Sequence, residues 1–247
     1  MGQVIARRFK AEGAQVLVAG RHLDELNRVA GEIGGHAAYC DITRLSDLEA
    51  LAQTALKAMG SVSIAVNSTG WGLLKPFLET TTEELQQMTA LQFIGPYQFY
   101  QSMIRVMTGG GSIIQISSAT ATIMLNHHAA YMGTKAGADH VIRCVAHEFG
   151  HLGIKANSIS PGLTDTPMTA GAKSVPGLFD CFLKGYPLGR IGTSEDIASA
   201  AVWLASDESF MTGANLQVNG GLTLRMNPTA QEMEEAVARA SAKTAGS

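Results

Sequence analysis

Ser118, Tyr131 and Lys135 have the side chains needed to move a proton beside a carbonyl, and their spacing suits that task. The serine stands thirteen residues before the tyrosine and the lysine four after it, within SSATATIMLNHHAAYMGTK. Residues four apart are stacked neighbours on a helix, so Tyr131 and Lys135 share one face. A lysine cation beside a phenol favours the phenolate, and the spacing therefore predicts a Tyr131 pKa below the usual value of about 10. Such a tyrosine donates or accepts a proton near neutral pH. Ser118 closes the apolar strand pattern SIIQIS, from whose end its hydroxyl can bond a reacting oxygen. A Tyr-x-x-x-Lys pair alone is a weak signal, since most such pairs are solvated helix residues. The surrounding elements must decide.

A chain of 247 residues is long enough for one large α/β domain, and no polar or low-complexity linker divides it. Hydrophobic residues make up 46% and charged residues 16%, which suits a soluble globular protein. The formal net charge of −3 offers no basic field for nucleic acid or acidic membrane. Cys40, Cys144 and Cys181 are widely spaced, and no long apolar run follows Arg7, Arg8 and Lys10. The cysteines therefore read as reduced thiols in a cytoplasmic protein. The compact apolar runs QVLVAG, HAAYC, SIAVNS, SIIQIS, KANSIS and NLQVNG alternate with helical patterns. Helices are expected over 2–12, 23–33, 46–58, 82–107, 133–150 and 194–205, which argues for a parallel sheet covered on both faces. Ser194 with Glu195 and Asp196 reads as a helix start, and Pro96 should bend or interrupt the 82–107 helix. Pro228 to Ala242, with Met233, Val237 and Ala240, has the pattern of a short amphipathic helix that packs on a partner subunit or stays loose.

Five blocks resemble the short-chain dehydrogenase/reductase family and follow its order. They are the Ser118, Tyr131, Lys135 set, NSTG from Asn67 to Gly70, and NSISPGLTDTPM from Asn157 to Met168, then PLGRIGTSEDIASAAVWLAS from Pro187 to Ser206 and TGANLQVNGG from Thr212 to Gly221. The match runs from Gly2 to about Leu222. It implies a Rossmann-like three-layer αβα sandwich with a mostly parallel central sheet, one domain over 1–224, and a separate tail over 225–247. The beginning departs from the pattern. The family opens with a strand and a Thr-Gly-x-x-x-Gly-x-Gly turn, whereas Met1-Gly2-Gln3-Val4-Ile5-Ala6 resembles only the last two positions and the helix after them. Those glycines let backbone approach a pyrophosphate, and the first strand lies mid-sheet, so its loss would expose apolar edges. The fold is thus expected to be N-terminally truncated: either the protein starts upstream of Met1, the favoured reading, or its cofactor site is damaged.

The resemblance also implies roles. Tyr131 is the acid in reduction and the base in oxidation, Lys135 holds the nicotinamide ribose, and Ser118 holds the substrate oxygen as charge develops. Gln92 stands where the family uses an asparagine to hold a relay water, so its longer stem displaces the relay or loses it. Cofactor contacts are implied for Gly2, Arg21, Asp41, Ile42, Asn67, Ser68, Gly70, Tyr131, Lys135, Pro161, Gly162, Thr164 and Thr166. Gly20 supplies no acid for a ribose 2′-hydroxyl, and the Arg21 fork suits a 2′-phosphate, which favours NADP(H), with NAD(H) possible. Arg21 can equally be a solvated strand-end residue. Asp41 reads either as a partner for the adenine amino group or as a cap of the turn before Leu45.

His147-Glu148-Phe149-Gly150-His151 fits His-Glu-x-x-His, but it straddles Gly150 near a helix end and no third ligand stands out, so no metal is expected. His127 and His128 either line the substrate cleft or are two surface loop residues. The segment 169–187 is expected to be the substrate lid, with Val175, Leu178, Phe179, Phe182 and Tyr186 against the charges of Lys173, Asp180 and Lys184, and Trp71 forms another wall. An apolar lid suits a hydrophobic or alicyclic substrate. The expected function is interconversion of a secondary alcohol and a ketone with NADP(H). Rival readings are a nucleotide-binding homologue that does not turn over and an epimerase or isomerase with retained cofactor. Partners are a small-molecule substrate and a second copy, with a homodimer or homotetramer formed through 82–107 and 133–150.

Overall fold

The computed structural model describes residues 1–166, 169–224, 233–235 and 237, with only the backbone at 172 and 173. In chain order the elements are α1 (Gly2–Ala11), β1 (Leu17–Gly20), α2 (Leu23–Ile33), β2 (His36–Tyr39), α3 (Leu45–Met59) and β3 (Ile64–Asn67). Then come α4 (Thr82–Thr89), a π-helical segment (Ala90–Ile94), α5 (Gly95–Ile104), β4 (Gly111–Ile116), α6 (Ala129–Phe149) and β5 (Ile154–Pro161). The short helices α7 (Ala170–Lys173) and α8 (Leu178–Leu183) precede α9 (Ser194–Ala205) and β6 (Asn215–Val218).

Every strand pairing is parallel. In one sheet β1 pairs with β2, with Leu17 opposite His36. The other has the order β3-β4-β5-β6, setting Ile64 opposite Ser112, Ile113 opposite Ala156 and Ser158 opposite Asn215. Parallel strands need crossovers, and helices supply them on both faces. One apolar core joins α3, α5 and α6 to the sheet through Leu48, Phe99, Tyr100, Ile113 and Ile142. The opposite core joins α1 and α9 through Ile5, Phe9, Ile114, Ile159, Ile197 and Leu204. Ile113 and Ile114 thus face opposite layers, as the two-residue period of a strand requires. The architecture is a Rossmann-like αβα sandwich.

The six strands among the described residues do not form one sheet. The free edges of β1 and β3 lack ladder partners among the described residues. Between them lies a cavity of about 820 Å³, walled by Phe9, Val16, Val18, Ile64 and Val66 and bounded by Met1 and Gly2 of α1.

The break before Pro96 and the start of α9 at Ser194 fall where expected, and the start of α6 does not. The 82–107 helix is broken by the π turn before Pro96, because proline cannot donate the i→i−4 bond and its ring crowds the preceding turn. Helix α6 starts at Ala129 rather than 133, so Tyr131 lies in its first turn. The cap of α9 is Thr193, whose side chain accepts the Asp196 N–H in a reciprocal capping box, and Ser194 is already helical. Most of the 225–247 tail, with its expected helix, lies outside the described residues. Met233 and Val237 are described and exposed.

Candidate active site

Residues at successive turns of α6 face the C-terminal end of β4. Tyr131 is half-buried, while Lys135 is almost wholly buried and its Nζ donates to the Ile116 carbonyl at 2.9 Å. One turn on, Asp139 Oδ2 accepts the Ser117 hydroxyl at 2.8 Å and the Asn215 amide at 2.6 Å. Ser118 follows directly. Its Oγ accepts the Thr120 N–H at 3.2 Å and shares a proton with the Thr120 hydroxyl at 2.9 Å, capping a short 3₁₀ turn over Ala119–Ala121. The strand end and the helix are therefore stapled at consecutive residues, and Tyr131, Lys135 and Ser118 come together there.

The electrostatics reverse one expectation. Burial pushes the Tyr131 phenol above its ordinary value, with hydrogen bonding to Ser118 pulling the other way. Burial also lowers the Lys135 ammonium to about 8, against the attraction of Asp139. Lys135 Nζ stands 5.7 Å from the centroid of the Tyr131 ring and is already bound to a carbonyl. The shift of Tyr131 is thus upward, opposite to the expected depression, because desolvation outweighs the hydrogen bond with Ser118.

Gln92 completes the inner wall. It is buried in the π turn, where Oε1 accepts the Trp71 N–H at 3.4 Å and Nε2 donates to the Thr134 hydroxyl at 3.2 Å and to Met88 Sδ. Gly70 leaves room at this point. A Cβ there would stand 3.2 Å from Gln92 Oε1 and 3.5 Å from Lys135 Nζ. Gly2 allows a second close approach, since a Cβ on it would meet Ser68 Oγ at 2.7 Å and oblige that hydroxyl to move.

The other expected cofactor residues lie in the turns after β1, β2, β3 and β5, at the carboxyl ends of the strands, where ligands bind in open α/β sheets. Arg21 is exposed after β1, and its charge helps to hold the Asp41 carboxyl below its ordinary value. Asp41 Oδ1 accepts both the N–H and the hydroxyl of Thr43, so it does cap its own turn. The Ile42 side chain belongs to the core, leaving only its backbone for any ligand. Asn67 is buried, donating to Gln115 Oε1 at 2.8 Å and accepting from Thr69, and so ties β3 to β4. Thr164 turns its hydroxyl to the Gly162 carbonyl at 3.0 Å, and the Thr166 N–H is taken by Thr169. Pro161 ends β5 and pairs with Val218.

Three residues change character. Tyr186, expected on the apolar lid, is buried, and its hydroxyl accepts the Leu163 N–H at 2.5 Å, so it pins the loop after β5. The two histidines separate. His127 is exposed and adopts a left-handed φ of 62°, offering its carbonyl to the Lys75 N–H, while His128 packs its ring 4.6 Å from that of Tyr131. Burial lowers the His128 pKa. Asp139 and Ser117 escaped sequence reasoning, although Asp139 stands four residues beyond Lys135 and that spacing was signal enough. His147, Glu148 and His151 are exposed at the end of α6, and no group of three metal-capable side chains gathers among the described residues. No helix among the described residues is long and apolar enough to cross a membrane.

A family model described as enoyl-(acyl carrier protein) reductase matches residues 1–223. Galactitol 2-dehydrogenase (L-tagatose-forming) of Cereibacter sphaeroides is 34% identical, over 91% of each chain. The 3beta-hydroxysteroid dehydrogenase 1 of Eggerthella lenta is 35% identical, over 91% of this chain and 90% of its own. Among solved structures, a short-chain type dehydrogenase/reductase from Mycobacterium ulcerans superposes with a TM-score of 0.86 at 31% identity, covering 96% of this chain and 90% of that one. With the stapled Ser118, Tyr131 and Lys135 at the end of a parallel strand, these likenesses make the chain a member of the short-chain dehydrogenase/reductase family of oxidoreductases.

Proposed function

We propose that the protein interconverts a secondary alcohol and a ketone, with NADP(H) preferred to NAD(H). The observation that carries this reading is the convergence of the Tyr131 phenol, the Ser118 hydroxyl and the Lys135 ammonium at the end of β4, beside the clearance left by Gly70. The residues fit a nicotinamide dinucleotide on its nicotinamide side. Gly70 keeps the backbone close to Lys135, which is read as the partner of a ribose hydroxyl, and Pro161 to Thr166 form an ordered loop pinned by Tyr186. The bound cofactor would supply the hydride. Tyr131 gives its proton to the carbonyl oxygen in reduction and removes it from the alcohol in oxidation, while Ser118 donates a hydrogen bond to that oxygen. The phenol, raised by burial, is held protonated and ready for the reductive direction. Arg21, exposed and with no acid at Gly20, supports the preference for a 2′-phosphate.

The lid over 169–187 presents Leu178, Phe179 and Phe182, half-buried in or beside α8, which supports a hydrophobic or alicyclic substrate. The relatives include both a polyol and a steroid dehydrogenase, so substrate class is the finest level at which the reading is offered. Leu85, Ile94 and Tyr97 expose apolar surface along α4, the π turn and α5, which supports pairing of copies through this face as a dimer or tetramer. One domain over 1–224, in the cytoplasm, completes the reading. The cavity between β1 and β3 has the open edges and apolar walls that suit one more parallel strand, which is where the family's first strand and glycine turn would belong. A specific observation favours a second reading, nucleotide binding without turnover: both ends of the Gln92 amide are engaged by protein groups.

The test is titration of the 247-residue chain with NADPH and NADH while thermal unfolding is followed, then a screen of hydrophobic ketones and polyols. NADPH should bind more tightly and raise Tm, and Tyr131→Phe should lower turnover about 10³-fold with binding retained. Binding without turnover would support the second reading, and product formation without net change in nicotinamide absorbance would support an epimerase. Equal turnover by Tyr131→Phe would overturn the proposed chemistry.

A further inference from the structure

We propose that Asp139 is a positioning residue: it fixes α6 to β4 and β6 and keeps a negative charge one turn from Lys135, holding that lysine in register with Ser118. The proposal deepens the reading above and rests on it. Asp139 reaches two strands behind the site. Its Oδ2 accepts the Ser117 hydroxyl from the end of β4 and the Asn215 amide from β6. Ser158 of β5 faces the same carboxyl, but its Oγ and Asp139 Oδ1 have no hydrogen-bond partner among the described residues. A carboxylate joining two strands is a rigid anchor, since a shift of α6 along the sheet breaks both charge-assisted hydrogen bonds at once. Ile116, Ser117 and Ser118 are consecutive, and they meet Lys135, Asp139 and the Tyr131 side of the cleft respectively. A displacement of the helix is therefore a displacement of the proton donor from the substrate oxygen.

The charge has a second effect. Lys135 loses hydration on burial, and Asp139 supplies the attraction that opposes this loss. The groups facing the pair are few. Tyr131 shares α6 with Lys135, and Tyr100 of α5, whose phenol is pushed up chiefly by burial, also feels the charge of Asp139. From β4, β5, β6 and the π turn the facing groups are the neutral Ser117, Ser158, Asn215 and Gln92.

Asp139→Asn separates charge from packing. Its amide oxygen can still accept from Ser117 and Asn215, while its NH₂ can donate towards Ser158 Oγ. We expect Tm within a few degrees of wild type, turnover lowered about tenfold, and the alkaline limb of ketone reduction moved about one pH unit lower, because Lys135 loses its proton sooner. Ser117→Ala keeps the charge and removes one staple; turnover should fall several-fold with KM and the limb unmoved. The Lys135 titration is to be read independently of turnover, from the ¹³Cε shift in protein carrying ¹³C-lysine, with the signal assigned by its absence in Lys135→Arg. An unchanged Lys135 midpoint in Asp139→Asn overturns the electrostatic half of the proposal, and unchanged turnover in both variants overturns the positioning half. If wild type turns over no alcohol or ketone while the midpoint still moves, the coupling stands and the proposed activity falls.

Discussion

The end of β4 and the gap between β1 and β3 treat backbone and burial in opposite ways. At the first, polar groups are buried and matched: the Ile116 carbonyl accepts from both Gln115 Nε2 at 2.8 Å and Lys135 Nζ at 2.9 Å, and Gln115 in turn receives Asn67 and Tyr100. At the second, two strand edges face a cavity with no ladder partner among the described residues. Satisfied polar networks rigidify a core, whereas open edges and voids forfeit hydrogen bonds and dispersion contacts. The half of the candidate site at the end of β4 is thus organised by its own side chains, and the half beside α1 is the place where added contacts have most to contribute.

Stability measurements can break that contrast. Ile113 is fully buried in β4, and Ile113→Ala should cost about 2–5 kcal/mol in urea unfolding. Val16, on the cavity wall, has space on one side already, so Val16→Ala should cost less than about 1 kcal/mol. Equal costs would mean that the gap is closed in solution. A somewhat smaller effect concerns Lys135, whose pKa is lowered from 10.5 to about 8. The folded state therefore disfavours the ammonium below pH 8. Between about pH 8 and 10.5 the unfolded chain holds the extra proton, so stability from this group rises with pH through that window, by about 3 kcal/mol in total. Lys135→Met removes the penalty, and its advantage over wild type should be greatest below pH 8 and shrink towards pH 10.5; a constant difference would refute the burial of a charge. Smallest of the three, Thr193→Ala removes the cap of α9, the helix packed on α1, and should cost about 1 kcal/mol without altering the midpoint of Lys135.

Much of this organisation was legible in the chain because local pattern dictates it. The apolar runs mark all six strands, and the Tyr-x-x-x-Lys spacing places both side chains against the end of SIIQIS. What local pattern cannot show is depth. The Tyr131 pKa was misjudged because a lysine four residues away is visible in the sequence and the desolvation of the phenol is not. Tyr186 looked like an apolar lid residue for the same reason, since its partner Leu163 lies 23 positions away. Pro96 signalled a break in its helix, yet the form of the break depends on the packing of Gln92 beneath Gly70. Asp139 is the opposite case: its spacing was in view, and its meaning depends on Ser117 and Asn215 from distant strands.

The π turn has a consequence for how this helix tolerates changes in length. A π turn holds one residue more than the α-helical path needs, so it resets the rotational phase between α4 and α5. Met88 on α4 and Phe99, Tyr100 and Met103 on α5 all reach the interior, on either side of that reset. Loss of one residue within Ala90–Ile94 would restore a continuous α-helix with both flanks facing as they do, whereas drawing the segment into α-helical pairing with every residue kept would rotate one flank by about 100° relative to the other. The flank that turned would carry its apolar side chains away from the core or sweep the Gln92 amide out from under Gly70. The surplus residue is therefore structural punctuation, and the helix cannot be regularised at its present length without choosing between core and site.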